Sequence, residues 1–293
     1  MQDDLQFKEP PLYYLLAKAE RMAGNHTNPV WRAQVGRPES PSQALPMVIK
    51  YLDGGQIPLC IELSCGLAAQ ALQLPIPAPA LVLAERDDLK GLPASAGGQR
   101  FLLIGSQYKK PDALYAQIAT NHPAAEEFVW SRLCASETGA KGAAWDELVA
   151  NPDRHSENLL FDGQKWWLFD HDLALPTTAD YLRADANTMT RQQAISFQAR
   201  FNQLASQMLE RRPADHTLDS QAKYLGKHKT ALTALAAYAR GWQSDDATIT
   251  GIYQITAILI DKIALRLPAL AQHLHARMSR PDASSLWTSH SQT

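Results

Sequence analysis

Residues 151–172, NPDRHSENLLFDGQKWWLFDHD, place several polar side chains next to short apolar runs. Asn158 follows Asp153 by five positions, and Asp170 comes directly after the run WWLF. An Asp-Gly turn separates two strand-like runs and predicts a β-hairpin. Asn158 then opens the first strand and Asp170 ends the second, so one hairpin holds an amide oxygen beside a carboxylate.

These oxygen-bearing side chains suit the binding of Mg²⁺ and the transfer of a proton. Carboxylate and amide oxygens are hard ligands, and Mg²⁺ combines a few of them with water and substrate phosphates. Asn158 and Asp170 are therefore predicted metal ligands. Asp153 lies on the loop ahead of the hairpin, where its carboxylate is free to accept a proton from a hydroxyl.

A second pair of charged residues lies upstream of the hairpin. Lys50 ends an apolar run, where a lysine is rarely buried without a partner. Glu62 lies in a predicted helix over Leu59–Leu74, on the same side as the small residue Gly66. Small neighbours leave room for the carboxylate to reach a lysine, and such a pair can hold the amine against two phosphates.

The pattern along the chain changes near Gly105. The first third mixes strands with one helix, and the rest is mostly helical. Strands are predicted at Val30–Val35, Pro46–Tyr51, Ala80–Ala84, Phe101–Ile104, Asn158–Phe161 and Trp166–Phe169. Helices are predicted at Pro111–Thr120, Ala124–Cys134, Ala143–Ala150 and, with breaks, Arg191–Arg277. A small strand-rich lobe joined to a larger helical lobe is one architecture that fits, with a ligand site in the cleft.

Composition excludes several classes of protein. Of the 293 residues, 45% are apolar and 20% are charged, which is unlike a disordered or fibrous chain. The net charge of −2 disfavours a dedicated nucleic-acid binder, so no direct nucleic-acid partner is expected. The three cysteines form no C-x-x-C pair, which disfavours a disulfide framework or a zinc site.

The sequence also predicts where the protein acts. The N-terminal stretch MQDDLQFKEPPLYY is acidic and lacks the basic and apolar regions of a signal peptide. Charged residues interrupt the apolar runs, and none is expected to reach the ~18 residues of a membrane span. We therefore expect a cytoplasmic protein without a membrane partner.

The combined pattern resembles a known family. An Asp, an Asn five positions later, a strand-ending Asp, an upstream strand Lys and a helix Glu form the phosphoryl-transfer set of protein kinases. The spelling Asp153-Arg154-His155-x-x-Asn158 is shared by phosphatidylinositol kinases and HipA-like kinases. Together with VIK, LQLPIPAPALV, FLLIGS and LFDHDLAL, it resembles bacterial HipA-like kinase domains from about Gly24 to Leu175.

This resemblance implies an α+β, bilobal protein-kinase-like fold. Its small strand-rich N-lobe would span residues 1–105, its larger and mostly helical C-lobe residues 106–278, and a disordered tail residues 279–293.

The resemblance also assigns roles to the charged residues. Lys50 would contact the α- and β-phosphates, and Glu62 would orient it. Asp153 would be the catalytic base, and Asn158 and Asp170 would hold Mg²⁺.

The remaining nucleotide contacts are implied in the same way. Gly24, Asn25 and Thr27 would belong to the loop over the phosphates. The segment Phe101–Ser106 would be the hinge behind adenine, with Ile104 and Ser106 binding the nucleotide.

Three further residues have expected supporting roles. Arg154 is expected to anchor its loop against a carboxylate, and His155 to support the loop by hydrogen bonds. Asp172 stands in Asp170-His171-Asp172, where protein kinases have Asp-Phe-Gly, and is expected to cap the segment that follows.

The implied function is an ATP- and Mg²⁺-dependent phosphotransferase acting on Ser or Thr of a protein substrate, with a regulatory partner protein. Two alternatives remain open. The acceptor hydroxyl can belong to a lipid or a small molecule, or the chain can be a kinase-like module that binds nucleotide without transfer.

Overall fold

The computed structural model describes residues 9–23, 27–121, 124–176, 178–180, 201–212 and 217–279. Within them, a strand-rich N-terminal part is followed by a mostly helical C-terminal part, which confirms the predicted order. The N-terminal strands are β1 (Leu12–Leu15), β2 (Glu20–Arg21), β3 (Val30–Arg37), β4 (Ser40–Lys50), β5 (Pro79–Glu85) and β6 (Arg100–Gln107).

These six strands form a small barrel. Their order is β1-β5-β6-β4-β3-β2, and β1 also pairs with β3, which joins the two sides of the sheet. β1 runs parallel to β5, and the other pairs are antiparallel. Alternate residues of β3 fill the interior: Trp31, Ala33 and Val35 are buried, whereas Arg32 and Gln34 are exposed. Neither β1 nor the barrel closure that it provides is predicted from the sequence.

The C-terminal part surrounds one buried helix. In the described ranges, the helices and strands of the C-terminal part are α2 (Ala113–Asn121), α3 (Ala125–Cys134), α4 (Glu137–Val149), β7 (Leu159–Phe161), β8 (Trp166–Leu168), α5 (Gln203–Arg211), α6 (Thr217–Lys227), α7 (Lys229–Ala239) and α8 (Ala247–Met278). α4 is buried over most of its length and packs against α5, α6 and α8. It begins six residues before the predicted helix Ala143–Ala150 because tertiary packing encloses its glycine-containing first half.

The helix α1 (Gln56–Ala71) connects β4 to β5 and belongs to both parts. Gly54 and Gly55 precede it with φ of +98° and +86°, a region that favours glycine. Its apolar residues, such as Leu59 and Leu63, are buried, and the helix packs against α8. The strand-rich part ends at Gln107, two residues beyond the predicted boundary. Residues 280–293 of the predicted tail lie outside the described residues.

The longest helix departs from the expectation that no segment reaches the length of a membrane span. α8 has 32 residues, and by length and composition alone it is apolar enough to cross a membrane. Half of its most apolar 18-residue window is buried inside the protein, where α8 packs against α1, α4, α6 and α7. The core helix of a soluble protein passes the same test of length and composition.

The three cysteines give a testable consequence of this packing. Burial raises the pKa of Cys60 to about 12 and that of Cys134 to about 11, and it raises the pKa of Cys65 well above its ordinary value. Since the thiolate is the reactive form, we expect the native protein to resist a chromogenic disulfide reagent at mildly alkaline pH. In urea, all three thiols should react at once. A thiol that reacts rapidly in the native protein would contradict this expectation.

Candidate active site

The candidate site is built on the loop that follows α4. Ala150 ends the helix with a φ of +51°, and the N–H of Asn151 bonds to the carbonyl of Asp146 at 2.8 Å. The Asn151 side chain donates to Asp146 Oδ1 at 3.2 Å and accepts from the N–H of Asp153 at 3.2 Å. These bonds fix the direction in which the chain leaves α4, and therefore the backbone position of Asp153.

Arg154 holds this loop against the helix. Its side chain has no exposed surface, and its Nε and Nη2 each donate to a carboxylate oxygen of Asp146 at 2.9 Å. Its Nη1 donates to the backbone carbonyls of Asn158 and Phe169, which belong to the two sides of the hairpin. The expected carboxylate anchor of Arg154 is therefore Asp146, and one guanidinium group joins α4, the loop and the hairpin.

His171 extends this buried polar group. Its Nε2 accepts from Trp145 Nε1 at 3.0 Å and lies 2.9 Å from Nη2 of Arg154. Because both neighbours are donors, Nε2 carries no proton, and the proton of the neutral ring is on Nδ1. Nδ1 has no hydrogen-bond partner within the described part of the chain, and it lies 3.9 Å from Glu62 Oε1.

His155 supports the loop through its backbone carbonyl, which accepts from the N–H of Asn158 at 3.0 Å, and its side chain makes no hydrogen bond to the described residues. His155 is about half exposed, and its Nε2 lies 3.9 Å from Asp153 Oδ2. The buried histidine that supports the loop is His171. Asp153 is itself half exposed, whereas Asn158 is buried and donates its amide to the Asp153 carbonyl at 2.9 Å.

Lys50, at the end of β4, carries the ammonium group of the site. Its Nζ donates to Asp170 Oδ1 at 2.6 Å and to Asp172 Oδ2 at 2.9 Å. Burial would lower the pKa of Lys50, but the charges of Asp170, Glu62 and Asp172 outweigh burial and raise it. Lys50 is therefore charged at neutral pH.

The two aspartates respond differently to the same surroundings. Burial would raise the pKa of Asp170, but the Lys50 ammonium and its hydrogen bond outweigh burial and hold this pKa below its ordinary value. Burial raises the pKa of Asp172 to about 6, and the negative charge of Asp170 adds to the rise. Asp170 follows β8 with a φ of +59°, a conformation that Asp tolerates better than most residues.

Glu62 does not pair with Lys50 as the sequence analysis expects. Its Oε2 accepts a hydrogen bond from the backbone N–H of His171, and no ion pair joins Glu62 to Lys50, both of which are described. α1 approaches β5 closely at Gly66, where a Cβ atom would lie 2.7 Å from Pro79. Gly66 therefore allows α1 to pack closely against β5. The Glu62 carboxylate extends instead to the turn after β8.

The described site residues share one cleft with a volume of about 410 Å³. Lys50 and Glu62 line it from the N-terminal part, and Asp153, Asn158 and Asp170 line it from the C-terminal part. Apolar side chains cover another section, among them Val30, Val48, Ile76, Ile104, Leu159 and Leu168. An apolar slot beside a few convergent polar groups has the form of a small-molecule site.

The connection between the two parts lies later in the chain than the predicted hinge. Phe101–Ser106 is the inner section of β6, and Phe101 is buried in the barrel core. β6 continues to Gln107, so residues 108–112 make the connection to α2. Ile104 and Ser106 nevertheless line the cleft.

The predicted phosphate loop is described in part. Gly24 and Asn25 lie outside the described residues, and Thr27 lines the cleft. The neighbouring Asn28, for which the sequence analysis predicts no role, donates to Asp172 Oδ2 at 3.0 Å. Asp172 therefore binds Asn28 and Lys50, and no backbone N–H of the described residues donates to its carboxylate as a cap would require. The sequence feature that could have indicated this role is the second acidic residue two positions after Asp170.

Comparison with known proteins identifies the fold. No protein-family model and no curated protein match the sequence. Among solved structures, the Helicobacter pylori proinflammatory kinase CtkA is similar with a TM-score of 0.54 and 10% identity, covering 90% of this chain and 99% of that one. A MAP kinase from Leishmania major gives a TM-score of 0.31 and 9% identity, covering 92% of this chain and 86% of that one. The similarity to CtkA shows that the chain has a protein-kinase-like fold.

Proposed function

We propose that the protein is an ATP- and Mg²⁺-dependent phosphotransferase of the HipA-like kinase type. The acceptor would be a Ser or Thr hydroxyl of a protein, and the strand-rich and helical parts would act as the two lobes. One observation carries the proposal: Lys50, Asp153, Asn158 and Asp170 line a single cleft in a kinase-like fold. CtkA is itself described as a kinase, which supports the proposal at the level of fold.

The cleft suits a nucleotide. Its apolar section, which includes Val48 and Ile104, can enclose a flat base, and Ser106, the pairing partner of Val48, also lines the cleft. Lys50 is mostly buried and charged, so it can bind phosphate oxygens in a region of low dielectric, where such contacts are strong.

The oxygen atoms of the site fit Mg²⁺. The Asp170 carboxylate lines the cleft, and Asn158 donates its amide N–H to Asp153 while no hydrogen bond reaches its Oδ1 from the described residues. The described ranges contain no group of three His, Cys, Asp or Glu side chains that could by itself hold a metal ion. Mg²⁺ does not require one, because it uses one or two protein oxygens together with phosphates and water. When bound, Mg²⁺ would offset the negative charge of the phosphates.

The position of Asp153 supports its proposed role in proton transfer. Its half-exposed carboxylate lines the cleft on a loop whose backbone is fixed. In the proposed reaction the acceptor oxygen bonds to the γ-phosphorus, the bond to the bridging oxygen of ADP breaks, and Asp153 accepts or orients the hydroxyl proton.

The test uses the purified chain with γ-labelled ATP and a panel of protein, lipid and small-molecule acceptors. We expect label transfer that requires Mg²⁺ and that falls roughly a hundred- to a thousand-fold in Asp170→Asn, because a preorganised charge is lost. Asn tolerates the left-handed backbone at this position, so the variant should fold. Transfer that persists in excess chelator would contradict the proposal.

A second candidate function is a nucleotide-binding module without transfer. It is favoured by one observation: Lys50 is held by Asp170 and Asp172, whereas Glu62 binds the backbone of His171. Thermal stabilisation by ATP without label transfer or ADP release would support this candidate. Absence of any stabilisation by ATP would exclude both functions.

A further inference from the structure

The contacts of Lys50 single out a carboxylate that the proposed function does not use. Lys50 Nζ binds Asp170 and Asp172, and the Glu62 carboxylate binds the backbone N–H of His171. A lysine has a long side chain with four rotatable bonds, so its ammonium occupies one place only if fixed partners hold it there. In this cleft those partners are the two aspartates.

The two aspartates differ in what the proposed reaction would require of them. Asp170 is the proposed ligand of Mg²⁺, and a bound cation would repel the ammonium group that now shares this carboxylate. Asp172 would keep Lys50 in place under those conditions. Its side chain is also less exposed than that of Asp170, at 11% against 30%.

Asp172 is fixed by a further contact from the N-terminal part. Asn28 Nδ2 donates to Asp172 Oδ2 at 3.0 Å, and Asn28 Oδ1 accepts from the N–H of Asp53 at 3.3 Å. One oxygen of Asp172 thus receives both Lys50 and Asn28. The side chain therefore joins the turn after β8 to β4 and to the segment that precedes β3.

We propose that Asp172, rather than Glu62, is the carboxylate that positions the Lys50 ammonium for the nucleotide phosphates, with Asn28 of the N-terminal part fixing Asp172. This inference rests on the proposed nucleotide-binding function. Asp172 acts through Lys50 and is a positioning residue. Glu62 instead fixes the backbone of the turn that carries both aspartates.

The test compares a ligand with phosphates and one without. Calorimetric titrations with Mg²⁺-ATP and with adenosine are made on the wild type, Asp172→Asn, Lys50→Ala and the double variant. Asp172→Asn should weaken ATP binding by about tenfold or more, since a charge-assisted hydrogen bond to the lysine is lost. Adenosine binding should be unchanged. In the Lys50→Ala background, Asp172→Asn should have no further effect on ATP binding.

A control variant and three contrary results complete the test. Asp261→Asn removes a carboxylate that pairs with Arg240 on the surface and should leave both affinities as in the wild type. The inference is overturned if Asp172→Asn weakens ATP and adenosine equally, if its effect adds fully to that of Lys50→Ala, or if it has none. A wild-type protein that does not bind ATP would instead refute the proposed function, a result visible before any variant is compared.

Discussion

Replacing Asp153 by Asn should reduce phosphoryl transfer by about a hundred- to ten-thousand-fold while leaving the fold intact. A positioned general base contributes an acceleration of roughly that size, and an amide of the same shape cannot accept the proton. The Asp153 carboxylate is half exposed, and among the described residues its side-chain partner is His155 at 3.9 Å. The variant therefore removes the proposed proton acceptor while losing few contacts that stabilise the fold.

The measurement is initial-rate label transfer from γ-labelled ATP, together with the melting temperature and the affinity for ATP. Stability should change by less than about 0.5 kcal/mol, as for other surface substitutions, and ATP should bind as before. His155→Asn is the matched control, because it removes the neighbouring side chain and keeps the carboxylate. Full transfer by Asp153→Asn would show that Asp153 is not the base.

Replacing Arg154 by Met should destabilise the protein by about 3–5 kcal/mol, because it leaves the Asp146 carboxylate buried without its charged partner. Neither side chain of this pair has exposed surface. The variant also removes the donor to the carbonyls of Asn158 and Phe169. The free energy of unfolding, measured with urea, should show this loss as a lower midpoint at an unchanged slope.

Two variants test the origin of the effect. Arg240→Met breaks an exposed ion pair with Asp261 and should cost less than about 1 kcal/mol. Combining Asp146→Leu with Arg154→Met removes both charges and should recover part of the lost stability. If Arg154→Met were as mild as Arg240→Met, the buried ion pair would not be what holds the loop on α4.

Local patterns were sufficient for several elements. The Asp-Gly turn and its flanking apolar runs predict the hairpin, and the structure contains β7 and β8 there with Gly163 at a φ of +92°. β3, β5 and β6 lie at their predicted positions, although each is longer. These predictions succeed because turn residues and alternating burial act within a few positions of one another.

Long-range pairings were outside the reach of such patterns. β1 joins both β3 and β5, yet its four residues resemble many short apolar runs, so closure of the barrel has no local signature. The connection between the two parts shifts from the predicted 101–106 to residues 108–112 because pairing with β4 and β5 extends β6 to Gln107. Strand ends are set by partners, which the sequence of one strand does not reveal.

The residue types of the candidate site, and the order in which they occur, could be predicted from the sequence, because hydrogen-bonding capacity and charge are properties of single side chains. Which of these side chains bind to one another depends on the tertiary structure. In the folded protein, Lys50 pairs with Asp170 and Asp172, and Arg154 pairs with Asp146. Glu62 accepts a hydrogen bond from the backbone N–H of His171. A flexible charged side chain takes the partner that packing brings within a few ångströms, and that distance depends on the arrangement of whole elements.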